Sequence, residues 1–231
     1  MNNFESSELI FIKFISYASI SFRAEIYANR LSIDWGNGEI TTYQEENGYF
    51  NLRHRCQTEG LQQITISGEN ITYVKINKLC ITDIQFSNCR NLEYLDCSGN
   101  ELMSLDLSQC PQIEELHCNS NNLSKFSLSR PDKLIQLNLS YNQIEELELE
   151  GCQHLQSLEC DHNKISNIKI SGCTSLTKLN ISDNLLEECS IIHLFDSLPG
   201  KSENDFVIIR YHRNPGTKSG RKLMFKNKNW C

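Results

Sequence analysis

Glu115, His117, Glu159, Asp161 and His162 carry the side chains from which a metal site or an acid–base pair is built. On stacked coils they come close enough to one another for such a site to be weighed. Chemistry needs more than proximity. Carboxylates and imidazoles on an open strand face lack the concavity and desolvation that shift pKa values for catalysis. These five are therefore assigned neither a catalytic nor a metal-binding role, and no cofactor is expected. The chain has no Gly-rich phosphate loop, no HExxH and no nucleophile elbow. Glu145, Glu146, Glu148 and Glu150 form a charge run read as solvated surface, and His54 and His154 are read as structural.

The 11 cysteines are the second reactive set. Their spacing is periodic, which argues against an irregular disulfide scaffold. Cys97, Cys118 and Cys160 share a slot with Leu139 and Ile181, so each replaces an aliphatic side chain. Cys89, Cys110, Cys152 and Cys173 share another, filled once by Pro131. Both columns read as buried free thiols packing like small hydrophobes. No CxxC offers a zinc site.

The elements that position all these groups come from a 21-residue self-similarity: NLEYLDCSGNELMSLDLSQCP, QIEELHCNSNNLSKFSLSRPD, KLIQLNLSYNQIEELELEGCQ, HLQSLECDHNKISNIKISGCT and SLTKLNISDNLLEECSIIHLF follow a degenerate NITYVKINKLCITDIQFSNCR. Each contains L-x-x-L-x-L twice, as in Leu92, Leu95, Cys97 and Leu102, Leu105, Leu107, with no helical stripe. A coil this short cannot bury its apolar side alone, so neighbours must stack. The pattern predicts a right-handed solenoid of about six coils, with a parallel sheet on one side, short extended or irregular segments on the other, and strands about 4.8 Å apart. Asn100, Asn121, Asn142, Asn163 and Asn184 recur where the chain turns inward, and an amide can both donate to and accept from the peptide groups stranded there. Leu79 takes this place in the first coil, which implies an apolar covering at that end.

With 39 % hydrophobic residues the chain can build a substantial core. A net charge of -7 and a pI near 5.4 exclude nucleic acid as a general ligand. Basic residues gather near the end, from Arg210 to Lys228, and read as a solvated terminal cap. Leu9 to Phe22 is the longest apolar stretch; Lys13 interrupts it, so no membrane insertion is expected. Glu5 and Glu8 stand where a signal peptide would carry positive charge.

Before the repeats, Leu31 to Asp34 runs into Trp35, Gly36, Asn37 and Gly38, then Thr41 to Tyr43, and later the alternating Ile64 and Ile66. Short strands with glycine turns predict a small β-sandwich. The residues SIDWGNGEITTY, His54 in LRHRCQTEG, and LQQITISGENI resemble the WGDG, histidine and glycine-to-strand signature of PKD-like immunoglobulin-type domains. Asn37 departs from the usual Asp, and Cys56 stands where an aromatic is usual. The repeats resemble short leucine-rich repeat proteins of Bacteroidetes, read LxxLxCsxNxLtsLdlsxc and often preceded by such a domain. SIIHLFDSLPGKSENDFVIIRYHRNPGTKSGRKLMFKNKNW is similar to that group's C-terminal cap. The resemblance implies a secreted or surface-associated interaction protein, although the missing leader leaves a cytoplasmic location open. The expected organisation is a PKD-like sandwich over 1–69, repeats over 70–195 and a cap over 196–231, with Val207, Ile208, Ile209 and Tyr211 as a closing strand and Trp230 as a lid.

Between the core positions of each strand, side chains point onto the sheet face. One column reads Tyr73, Tyr94, Glu115, Gln136, Ser157 and Lys178, and the next Lys75, Asp96, His117, Asn138, Glu159 and Asn180. A third reads Asn77, Ser98, Asn119, Ser140, Asp161 and Ser182. The candidate partner-binding residues are Tyr73, Lys75, Tyr94, Asp96, Glu115, His117, Gln136, Asn138, Glu159 and Lys178. The two tyrosines are the strongest anchors, since aromatic side chains dominate interfaces at little entropic cost. A crevice beside the sandwich, lined by Tyr73, Tyr94 and Lys75, is expected. The leading function is a non-enzymatic recognition protein holding a protein or glycan; a cytosolic scaffold or effector, or a polysaccharide-acting enzyme, are the alternatives.

Overall fold

The computed structural model describes residues 8–16, 21–44, 48–55, 60–128, 131–200 and 207–217. Cys56, Trp230, Cys231 and the basic residues from Lys218 onward lie outside them. The chain divides into two compact units, 1–113 and 114–231.

The first unit contains β1 (Glu8–Ser16), β2 (Ser21–Tyr27), β3 (Arg30–Asp34), β4 (Ile40–Tyr43), β5 (Tyr49–Arg55), β6 (Gly60–Glu69), β7 (Tyr73–Lys75), β8 (Ile81–Ser87) and β9 (Tyr94–Asp96). One sheet has the order β4-β3-β6-β1-β8, and within this unit a second runs β5-β2-β7-β9. Alternation sets their faces. In β2, Phe22, Ala24 and Ile26 are buried while Arg23 and Tyr27 are exposed, as a half-buried strand requires. The sheets meet through aromatic contacts: Phe22 lies edge-on to Trp35, and Tyr43 edge-on to Phe50. Trp35 is locked by a stack on His54 at 4.0 Å and by donating to Thr41 Oγ1 at 2.9 Å.

The turn after β3 explains its own sequence. Asp34 accepts from the Gly36 amide and Asn37 from the Glu39 amide, both at 2.9 Å. Gly36 has φ +80°, and a Cβ there would meet the Gln63 carbonyl oxygen at 2.1 Å, so only glycine fits.

The first coil joins both sheets. Its β7 pairs antiparallel with β2, Tyr73 opposite Tyr27, and its β8 pairs antiparallel with β1. The repeat pattern begins on the parallel pair β7 and β9, with Tyr73 opposite Tyr94. Because β2 offers β7 a free edge, one continuous sheet carries Tyr73, Lys75 and Tyr94 beside the strands that precede the repeats.

The second unit contains β10 (Glu115–His117), β11 (Gln136–Asn138), β12 (Glu146–Glu148), β13 (Ser157–Glu159), β14 (Asn167–Lys169), β15 (Lys178–Asn180), α1 (Glu188–Ser197) and β16 (Ile208–Arg210). Strands β10, β11, β13, β15 and β16 form a parallel sheet in unbroken register. The middle residue of each, Leu116, Leu137, Leu158, Leu179 and Ile209, is buried. On the other side β12 and β14 pair, with Leu147 opposite Ile168. This is the mostly-β leucine-rich solenoid that the periodicity predicts. The repeat cysteines are buried in both columns.

The asparagine column performs the expected role. Asn142 Oδ1 accepts from the Leu123 amide at 3.0 Å, while its Nδ2 donates at 3.0 Å to the carbonyls of Cys118 and Leu139. Asn100, Asn163 and Asn184 repeat the pattern one coil at a time. Asn214 continues it after α1, accepting from the Leu186 amide at 3.1 Å and donating to the Ile181 carbonyl at 2.9 Å. The 21-residue spacing does not reveal Asn214, which lies 30 residues beyond Asn184.

Candidate functional site

On the first unit's sheet, side chains at alternate positions form rows across four strands. Tyr49, Tyr27, Tyr73 and Tyr94 stand in register on β5, β2, β7 and β9. Their ring centroids are 4.9, 5.2 and 4.2 Å apart. Sequence reasoning identified Tyr73 and Tyr94 but missed Tyr27 and Tyr49, which lie outside the repeats and reach the row only through the antiparallel pairing of β2. The signal available was the alternation in AEIYA, which places Tyr27 on the face opposite Ile26.

The next row holds Asn51, Glu25, Lys75 and Asp96. Lys75 Nζ reaches Glu25 Oε1 at 3.1 Å, and this hydrogen bond raises the lysine pKa above its ordinary value. Asp96 is buried and accepts from Asn77 at 2.8 Å and from the Ser98 hydroxyl at 2.6 Å. Burial also raises the Tyr73 phenol, so it stays a neutral donor at physiological pH.

On the second unit's sheet, Glu115, Gln136, Ser157 and Lys178 share one row and His117, Asn138, Glu159 and Asn180 the next. Gln136 Nε2 approaches Glu115 at 3.5 Å, His117 lies 3.9 Å from Glu115, and Lys178 pairs with Glu159 at 2.5 Å. Asp161 collects Ser140 at 2.6 Å, Asn180 at 2.9 Å and His162 at 2.7 Å. The five groups that sequence position alone brings near one another thus fall into separate contacts, His117 with Glu115 and His162 with Asp161. Among the described residues no group of three or more His, Cys, Asp or Glu could hold a metal ion. Neighbouring coils thus hold one another's side chains in place, through Lys178–Glu159, Ser140–Asp161 and Asn180–Asp161.

Residues 90–130 match the family described as Leucine Rich repeats (2 copies), and residues 133–155 match Leucine Rich Repeat. A search of curated proteins gave no match. Among solved structures the chain is similar to YopM from Yersinia enterocolitica WA-314, at 23 % identity and TM-score 0.45 over 62 % of this chain and 33 % of that one. It is also similar to the functional domain of InlJ from Listeria monocytogenes, which includes a cysteine ladder, at 23 % identity and TM-score 0.44 over 64 % of this chain and 44 % of that one. The chain therefore spans less than half the length of either. No helix among the described residues is long and apolar enough to cross a membrane. Taken with the strand register and the asparagine column, the two family matches make residues 90–155 a run of leucine-rich repeats.

Proposed function

We propose that the chain is a non-enzymatic recognition protein that holds a protein or glycan partner on the faces of its parallel strands. The observation that carries this reading is the tyrosine row: four aromatic side chains aligned on adjacent strands, with Tyr27 and Tyr49 exposed by 42 % and 37 %. Cross-strand aromatic pairs add to the stability of the sheet, and tyrosine also supplies large, rigid contact area to an interface. Tyr73, Lys75, Tyr94 and Asp96 anchor this face, and Glu115, His117, Gln136, Asn138, Glu159 and Lys178 supply further polar contacts on the second unit's strands. A PKD-like sandwich over 1–69, repeats over 70–195 and a cap over 196–231 form the accompanying division. The stack of Trp35 on His54 supports the first of these, since those residues carry the resemblance.

Screening the full chain and its Y73A/Y94A variant against a glycan array and a displayed library of extracellular protein domains tests the reading. A ligand retained by the parent and lost by the folded variant is expected. Equal binding by both removes this face, and hydrolysis of an arrayed glycan moves the protein to an enzymatic class.

A second reading, a cytosolic scaffold, draws on the nine cysteines of the described residues, none of them in a disulfide. Burial raises the Cys97 and Cys160 thiols well above their ordinary range. Trapping thiols in cells before lysis distinguishes the two locations.

A further inference from the structure

Arg23 and Arg53 lie directly opposite each other on β2 and β5, on the same face as the tyrosines. Both are exposed, and Arg55 follows on that face of β5. Like charges at directly opposed positions destabilise a sheet. Among the described residues neither Arg23 nor Arg53 has a carboxylate partner; Glu25, between them and the tyrosine row, is engaged by Lys75. In a chain of net charge -7 this local excess of positive charge is conspicuous.

We infer that the tyrosine row and the Arg23–Arg53 pair form one docking face for an extended acidic segment of a partner protein. The inference rests on the recognition reading above and names its ligand. Two features decide for a peptide over a sugar. Tyr73 and Tyr94 are stacked face to face, with ring planes 9° apart, and Tyr27 meets Tyr73 at 82°. Tyr73 and Tyr94 thus spend ring faces on one another, whereas a sugar that stacks needs an open ring face. Apolar side chains of a peptide can pack against ring edges as well as faces. The guanidinium fork in turn matches a carboxylate, which it can bind through two parallel hydrogen bonds. Dimensions agree: four strands span about 14 Å, room for about four extended residues, and the arginines lie four residues along β2, roughly 13 Å from the tyrosines.

Selection of a random dodecapeptide library on the immobilised full chain tests this. Acid-rich sequences are expected, and the strongest, made with a fluorescein label, should bind R23A/R53A and Y73A/Y94A roughly tenfold or more weakly. Both variants should keep the parent's far-UV circular dichroism, and R23A/R53A should melt no lower than the parent because it relieves the like-charge pair. R23E/R53E should enrich basic sequences instead. Neutral or basic enrichment by the parent, or no enrichment at all, overturns the inference. So does binding that ignores R23A/R53A while Y73A/Y94A abolishes it, which leaves the recognition reading standing. Peptides indifferent to Y73A/Y94A remove the whole face and that reading with it. Heparin displacing every selected peptide through the arginines reassigns the face to a sulfated glycan and overturns the acidic-segment inference.

Discussion

Asn142 holds three chain segments with one amide, and the price of losing it follows from its contacts. Asn142→Ala leaves the buried Leu123 amide without its acceptor and removes one of two side-chain donors from the Cys118 and Leu139 carbonyls, which Asn121 and Asn163 still reach, so a loss of about 1–3 kcal/mol is expected in urea unfolding. Asn142→Asp should cost at least as much, because its carboxylate would face two carbonyl oxygens. Glu8 makes the opposite case. Its buried carboxylate accepts from the Ile71 amide and from Asn91, yet burial outweighs those bonds and raises its pKa above the ordinary carboxylate value. A raised folded pKa means that the native state binds the proton more tightly than the unfolded chain does. Its contribution is therefore fully present below the unfolded pKa and lost as pH rises through the folded one. Comparing Glu8→Gln with the parent by thermal melts from acid to neutral pH should show the parent's advantage shrinking as pH rises, and an unchanged difference would contradict the assignment.

At the scale of elements, the strands and the turn chemistry were legible and the closing helix was not. The L-x-x-L-x-L spacing located β9, β10, β11, β13 and β15 because each needs a buried leucine at its centre, its two neighbours lying on the other face. Helix α1 begins inside the stretch that the repeat count assigns to the last coil. Only Ile191 and Leu194 within it are buried, too short a stripe to compete with the repeat register. The left-handed residue before each ladder asparagine was hidden as well: Ser120, Tyr141, His162 and Asp183 have φ between 54° and 57° without being glycine. Only Gly99, with φ 66° before Asn100, betrays that conformation in the sequence. Gly216 shows what holds α1 in place. Its amide donates to the Leu186 carbonyl at 2.9 Å, and a Cβ would meet the Glu188 nitrogen at 2.4 Å. Gly216→Ala should destabilise by about 2–4 kcal/mol, read as a lower urea midpoint.

At the scale of the whole molecule, each unit needs its sheet edges occupied. In the second, β16 covers β15, and Asn214 satisfies Leu186 and Ile181. Truncation after Leu198 exposes that edge and strands the Leu186 amide and carbonyl, which Asn214 and Gly216 hold, so aggregated protein is expected in size-exclusion chromatography; a monodisperse product would refute the capping role. The polar columns of the strand faces were legible because strand alternation fixes which residues are displayed. Half of the tyrosine row and the arginine pair were not, since they depend on which strand β2 chooses as neighbour.

The bonds that Asn214 makes copy those of the asparagines before it, so to β15 the closing segment looks like one more coil. Length is then a free variable for this architecture. A tandem duplication of a single 21-residue cassette ahead of the terminator would add one rung of about 4.8 Å without creating any new kind of junction, and the display could widen by unequal recombination alone.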